Sequence, residues 1–564
     1  MFFLSSFTVP QWIKDPSSRV WIGFGVLALL LRCVGMDSEP LWLDELNSLM
    51  VATVHGYPNH LPTSPLTAQQ WLTHHVAWQP LWTAIGWKTL LAMLKDNVHL
   101  PLYYALLNPW LAVWKSLAPQ LPAYSEWPLR SFSLVWGLIL LLPLGALLQT
   151  TEKTESFHPH RLAWGLLLVA INPFLLTLSQ EGRMYTLSMA LCACSGLALY
   201  QLAVHPKNSP SASYWWWIYG LSTALGLMSH YVFWLQGVFH AGVWAWAWNQ
   251  QRLHKASAPP LNLKAFLTVC TLLILVLACW KPMFDIQHTG ALSHGDLTQE
   301  DHFADGLLSP IRYVSMLFWE PWMLMSGTAL WAKMVYIPLC TVSLLSALWA
   351  WVKGRLSPLV GYCLLWAYVP LLTQIAVDAL QGTHTSTIIR YGLLMFPPLL
   401  VIVAHALAQW QTHPQHGYQR GVLALLLMLV GGLTVWPGSP AHFTAKYPAR
   451  ALTQTLTQHL TPTHPSLLVV NGPLAAPVTA AWYLAPFKPH VPILYWVKTY
   501  RSHPRVLPNP SFWKAYPRVF VMRIRGTSQR GWDELVATLN AHYPHRRSLG
   551  TDGRLLVWEK APPL

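Results

Sequence analysis

The sequence predicts an α-helical polytopic membrane protein with a small C-terminal α/β domain, on three observations. First, 53% of its 564 residues are hydrophobic and only 10% are charged, against the roughly 25% charged residues usual in soluble domains. Second, the apolar residues gather into stretches of ~20, the length that crosses a ~30 Å hydrocarbon layer as a helix. A single soluble core cannot absorb that much unbroken apolar sequence. Third, the 33 Trp and 21 Tyr suit a chain with many membrane–water boundaries, where amphipathic rings settle.

Hydropathy places about eleven spans, at 19–35, 129–148, 162–178, 184–204, 214–228, 232–248, 265–280, 334–351, 359–376, 391–407 and 421–436. The first is followed by Asp37 and Glu39 with no small-residue cleavage site, so it is expected to stay uncleaved. Cations alternate between the short connections: Lys14 and Arg19, Lys153 and Arg161, Lys207, Arg252 with Lys255 and Lys264, Lys353 and Arg355, and Arg420 share one side. The other side has mainly Arg183 and Arg390. This asymmetry predicts a multi-pass protein of the inner or plasma membrane, with a cytoplasmic N-terminus and an extracytoplasmic C-terminal domain.

The extracytoplasmic loops are then 36–128 and 281–333 within a membrane domain at 1–437. The first contains two half-apolar stretches, 77–94 and 100–117, that suit helices lying in the interface. After 437 the pattern changes: β-rich runs at 466–470, 519–524 and 555–558 and a helix at 532–539 predict an α/β domain over 438–564. The net charge of +15 concentrates here, with fifteen Lys and Arg against four acids from Gly438 onward. Beside a membrane the nearest anions are lipid phosphates, and no nucleic-acid-binding pattern accompanies the charge, so no nucleic-acid partner is expected. The seven cysteines lie inside apolar runs and read as small buried hydrophobes.

The chemistry-bearing residues crowd the outer ends of the spans. Asp44 and Glu45 stand adjacent just outside the first span, where paired like charges need solvent, a metal or a cationic ligand. His99, Tyr103 and Tyr104 open the second interfacial stretch, and Glu126 and Arg130-Ser131 lead into the second span. Ser179-Gln180-Glu181-Gly182-Arg183-Met184-Tyr185 forms a very short polar turn between long apolar runs. A minimal turn needs only Gly and a polar residue or two, although a local Glu181–Arg183 ion pair accounts for part of it. His230-Tyr231 and Arg390-Tyr391 mark two further outer ends, where a lone Arg can also simply reach for headgroups.

In this order and spacing the motifs resemble the GT-C glycosyltransferases, in the branch of protein O-mannosyltransferases and the lipid A aminoarabinose transferase. The resemblance covers about 19–437. It departs at His99-Leu100-Pro101-Leu102, where the family has His-Pro-Pro-Leu, and at Gly182, where it has Ala. The resemblance implies transfer of a sugar, with inversion, from a polyprenyl-phosphate donor to the hydroxyl of a protein, lipid or cell-wall glycan acceptor at the extracytoplasmic face. It gives the base to Asp44 with Glu45 beside it. It gives substrate binding to Glu181, Arg183, Tyr185, His99, Tyr103, His230, Tyr231, Arg390 and Tyr391. Cofactors stay open: a divalent ion would draw on Asp44 and Glu181, whereas the spacing of His288, His294 and His302 fits no standard site. A transporter would instead place charges at the membrane midplane, and an O-antigen-ligase type would lack the Asp-Glu pair.

Overall fold

The computed structural model describes residues 16–36, 41, 43–53, 64–81, 83–95, 100–118, 125–149, 159–203, 211–253, 357–381, 392–411, 449–460, 465–471, 475–496, 499–500, 503–504, 508, 510–523, 529–549 and 555–560, with isolated positions between 267 and 349. Apart from those positions, the expected spans at 334–351 and 421–436 and the loop 281–333 lie outside the described residues. The chain divides into two compact units. One comprises Met1–Met36, Leu94–Tyr103 and Arg130–Ala441, the other Asp37–Met93, Tyr104–Leu129 and His442–Leu564.

The first unit is a helical bundle. Among the described residues three helices are long and apolar enough to cross a membrane, Trp127–Gln149, Tyr185–Ala203 and Pro358–Val377, and two shorter apolar ones lie at Arg161–Ile171 and Leu393–Ala408. Pro16–Cys33 packs on Pro159–Ile171, which packs in turn on Phe396–Gln411, while Tyr185–Ala203 packs on Ser211–Leu227. Close approach uses small residues, as apolar helices in lipid require: a Cβ on Gly196 would overlap the Trp366 ring. Ser211–Leu227 and Trp234–Leu253 form an antiparallel pair, in register through stacked Trp216 and Trp244 (5.1 Å) and through Tyr219 and His240 (5.3 Å).

The single helix expected at 162–178 is two helices, Pro159–Ile171 and Pro173–Ser179. Pro173 lacks the N–H that would continue the ladder. Asn172 instead caps the second helix, its side chain accepting from the Leu175 N–H at 3.0 Å. In the first loop the helices run Ala84–Lys95 and Pro101–Leu117, so the first is shorter than the 77–94 stretch. Residues 78–80, which include Pro80, precede it without helical structure.

The second unit holds a six-stranded sheet. Its strands are β1 (Leu66–Thr67), β2 (Ser466–Asn471), β3 (Pro492–Tyr495), β6 (Arg518–Arg523), β7 (His545–Ser548) and β8 (Leu555–Glu559), ordered β1-β3-β2-β6-β8-β7. The three central strands are parallel, and the pairings β1/β3, β6/β8 and β7/β8 are antiparallel. Strands β4 (Thr499–Tyr500) and β5 (His503–Pro504) pair separately. Trp513, Trp532, Trp558, Leu535 and Leu539 build the core on one face. Ala475–Leu484 connects β2 to β3 and packs on Ala449–His459.

One edge of this sheet is therefore first-loop sequence. Thr67 ends β1 and opens the helix Ala68–His75 through a reciprocal capping box with Gln70. That helix packs on Ala475–Leu484. Its fully buried Trp71 donates from Nε1 to the Ile493 carbonyl at 3.1 Å, meets the Tyr495 ring edge-on and stacks on His75. Trp71→Ala is expected to destabilise this unit by about 3–5 kcal/mol, read as a lower Tm of the purified full chain. An unchanged Tm would show that the first loop adds nothing to the sheet.

Candidate active site

In the first unit the candidate side chains gather around the turn after Pro173–Ser179. That helix ends with the Gln180 N–H donating to the Leu176 and Thr177 carbonyls. The Arg183 N–H bonds the Glu181 carbonyl at 2.7 Å, which tightens the turn at Gly182. The Arg183 carbonyl accepts from Ser133 Oγ at 3.0 Å, and the Ser133 carbonyl accepts from Thr186 Oγ1 at 2.9 Å. The peptide carrying Arg183 is thus held on both sides. The Arg183 guanidinium lies 5.8 Å over the Tyr185 ring and is 2% exposed, with Glu181 at 6%. Buried cations need such partners, and an aromatic face supplies part of the stabilisation.

Tyr185 faces His230 with ring centroids 6.1 Å apart. His230 is buried and opens the short turn Tyr231–Phe233, its Nδ1 accepting from the Val232 N–H at 3.1 Å. Ser188 Oγ and Ser229 Oγ lie 3.0 Å apart, joining the two segments. The Tyr231 hydroxyl accepts from Trp280 Nε1 at 3.3 Å. Buried Tyr103 meets Phe132 edge-on at 5.5 Å. Arg130 donates to the Met36 carbonyl at 2.7 Å, at the end of the first helix. Arg183, Glu181, Tyr185, His230 and Tyr231 therefore share one neighbourhood. His99, Arg390 and Tyr391 lie outside the described residues.

With this geometry and the bundle in place, the fold can be compared with solved structures. No protein-family model and no curated protein sequence matches the chain. ArnT from Cupriavidus metallidurans, in its apo state and bound to undecaprenyl phosphate, superposes with a TM-score of 0.52 at 13% identity, over 97% of this chain and 99% of that one. The chain shares the fold of ArnT. The archaeal oligosaccharyltransferase AglB from Archaeoglobus fulgidus, in complex with an inhibitory peptide and a dolichol-phosphate, matches more loosely (TM-score 0.42, 12% identity, 91% of this chain and 70% of that one).

In the second unit, Asp44 and Glu45 occupy the first turn of the helix Leu43–Ala52. Carboxylates there meet the positive end of the helix dipole. Asp44 is half-buried and Glu45 buried, and the Asp44 carbonyl accepts from Ser48 Oγ at 2.9 Å. Two residues ahead of the helix, the Leu41 N–H donates to the Tyr483 hydroxyl, which donates in turn to Glu126 Oε1 at 3.3 Å. Asn108 bonds the Ala52 carbonyl at the far end at 2.7 Å. Tyr483 and Asn108 escaped the sequence reading. Neither sits in a motif, although the Glu126 that Tyr483 meets was visible beside the second span.

Among the described residues no three His, Cys, Asp or Glu come together as a metal cluster. Arg32, in the last turn of Pro16–Cys33, is fully buried, and all three of its guanidinium nitrogens are bonded to protein oxygens.

Proposed function

We propose that the protein transfers a sugar from a polyprenyl-phosphate donor to an acceptor hydroxyl, with inversion, at the extracytoplasmic face of the membrane. The observation that carries this reading is the buried Arg183 guanidinium, fixed by its backbone at a short turn between apolar helices. Its planar fork suits phosphate oxygens in a way a lysine's point charge does not. The ArnT fold supports the lipid-linked donor, because that relative was solved with undecaprenyl phosphate bound.

In the proposed reaction Asp44 takes the acceptor proton as the hydroxyl oxygen attacks the anomeric carbon from the face opposite the phosphate. The bond from that carbon to the phosphate oxygen breaks, and its electron pair leaves with the polyprenyl phosphate. A phosphate leaving group is a weak base, so it needs cations rather than an acid. Arg183 and Arg390 supply them, with Glu181 orienting Arg183 and with Tyr185, His230 and Tyr231 lining the donor. Glu45 assists Asp44, and His99, Tyr103 and Tyr391 complete substrate binding. The membrane domain at 1–437 carries the donor reaction, and the basic segment at 438–564 faces the acceptor or lipid headgroups outside the cell membrane, the N-terminus lying in the cytoplasm. The acceptor is a protein, a lipid glycan or a cell-wall glycan.

Comparing extracted lipids and glycans with and without the gene tests the reading. The expected result is one missing envelope sugar together with accumulation of its polyprenyl-phosphate form. Unchanged glycans with unchanged lipid-linked pools would overturn it.

A further inference from the structure

Arg32 sits one residue before the end of the first helix, Pro16–Cys33, and 147 residues before Ser179, which opens the candidate turn. Its Nε donates to Ser179 Oγ at 3.0 Å, Nη1 to the Ala28 and Ala170 carbonyls at 3.2 Å, and Nη2 to the Val169 carbonyl at 3.0 Å. The acceptors at 169 and 170 follow from the break at Asn172-Pro173. The last carbonyls of a helix have no partner within it, and Pro173 has no N–H to offer Val169 in any case. The Leu168 carbonyl is served by the Asn172 N–H at 2.9 Å. Arg32 serves the next two, and its charge also answers the negative end of that helix's dipole.

The clasp is reciprocal. Gln180 Nε2 donates back to the Arg32 and Val34 carbonyls at 3.1 and 2.7 Å, covering the open end of the first helix. Ser179, holding Arg32 Nε, also donates to the Leu175 carbonyl at 2.6 Å, so its hydroxyl is fixed from two directions. Gly137 closes on the same point: a Cβ there would overlap the Ser179 hydroxyl and come within 3.3 Å of Arg32 Nε. Residues 179 and 180 are therefore locked to the first helix, and they directly precede Glu181-Gly182-Arg183.

We infer that Arg32 is a positioning residue for the donor-phosphate turn. By holding Ser179 and Gln180 it fixes where the Glu181–Arg183 turn begins, and so how Arg183 is presented. The inference rests on the function proposed above. A lysine cannot replace it, because one ammonium cannot reach four acceptors spread around a planar fork. Displacement of a positioned group by about 1 Å can cost up to about 100-fold in rate.

The test compares the full chain in lipid nanodiscs as wild type, Arg32→Lys and Arg32→Met. Two readouts are taken: sugar transfer from a polyprenyl-phosphate donor, and amide hydrogen exchange across residues 180–185. Expected are faster exchange in that segment with unchanged exchange in β2, and kcat roughly 10- to 100-fold lower, with Arg32→Lys retaining more activity than Arg32→Met. The double variant Arg32→Lys/Arg183→Lys should lose less than the product of the single losses, since both act through one side chain. Unchanged exchange at 180–185 overturns the inference, as does faster exchange with wild-type kcat and KM. A wild-type chain that transfers nothing from any polyprenyl-phosphate donor sinks the proposed function instead, while the exchange data still report whether Arg32 holds the turn.

Discussion

Asp44→Asn is expected to reduce transfer by about 10²–10⁴ while leaving the protein folded. The carboxamide keeps the size of the carboxylate and its place at the start of Leu43–Ala52, but it cannot accept the acceptor's proton. Two small effects on stability oppose one another. Removing a charge from the first helical turn forfeits about 0.3–1 kcal/mol of dipole interaction, and separating Asp44 from a like charge at Glu45 returns a comparable amount. The net change stays within about 1 kcal/mol, whereas the rate loss corresponds to about 3–5 kcal/mol in the barrier. The difference in scale makes the experiment decisive. Single-turnover rates on monodisperse enzyme, beside its thermal melt, separate the two. Near-normal turnover in a well-folded Asp44→Asn would remove the base assignment.

The parts of this protein that the sequence announced are those governed by local periodicity. The apolar runs at 184–204 and 359–376 become the helices Tyr185–Ala203 and Pro358–Gln381. The β-rich runs at 466–470, 519–524 and 555–558 become strands within a residue or two of their expected ends. Helix 532–539 is longer than expected, Gln529–His542, because polar residues on its outer face dilute the apolar signal without breaking the helix. The Asn172-Pro173 break was legible as a breaker dipeptide, yet the hydropathy of the run masked it. Strand β1 could not have been read at all, since two residues have no periodicity. The helix that follows it, opened by the capping box of Thr67 and Gln70, also went unread.

Contacts distant in sequence were the least legible, and they bear most directly on the site. Tyr483 reaches Leu41 and Glu126, Trp71 reaches Ile493, and Arg32 reaches Ser179. Each is an unremarkable Tyr, Trp or Arg until the partner is known. They also change how the C-terminal segment is understood. A module appended for acceptor use would be separable from Asp44. In the structure, Ala475–Leu484 packs on the helix that bears Asp44, and β3 pairs with first-loop sequence at β1. Truncating 438–564 would therefore disturb the support of the proposed base, which makes single substitutions the better probes.

Arg183→Lys is expected to weaken donor binding and to lower turnover further, by on the order of tenfold or more in kcat/KM. A purely structural account makes Arg183 a stacked cation whose work is to hold the turn against Tyr185. Lysine keeps the charge and can still approach that ring, and the backbone bonds to Glu181 and Ser133 do not involve the side chain. On that account the variant loses a little thermal stability and keeps its kinetics. The phosphate account differs because lysine lacks the paired donors that grip two oxygens at once. Hydrogen bonds to a charged group are worth about 1.5–3 kcal/mol, so losing one costs roughly ten- to hundredfold in the step that needs it. If the contact strengthens as charge builds on the departing phosphate, the larger share of the loss falls on kcat rather than on donor affinity. Donor titration and single-turnover measurements divide the two contributions. Wild-type kinetics in Arg183→Lys, with a lowered Tm, would return Arg183 to a structural role and leave the phosphate to be gripped elsewhere.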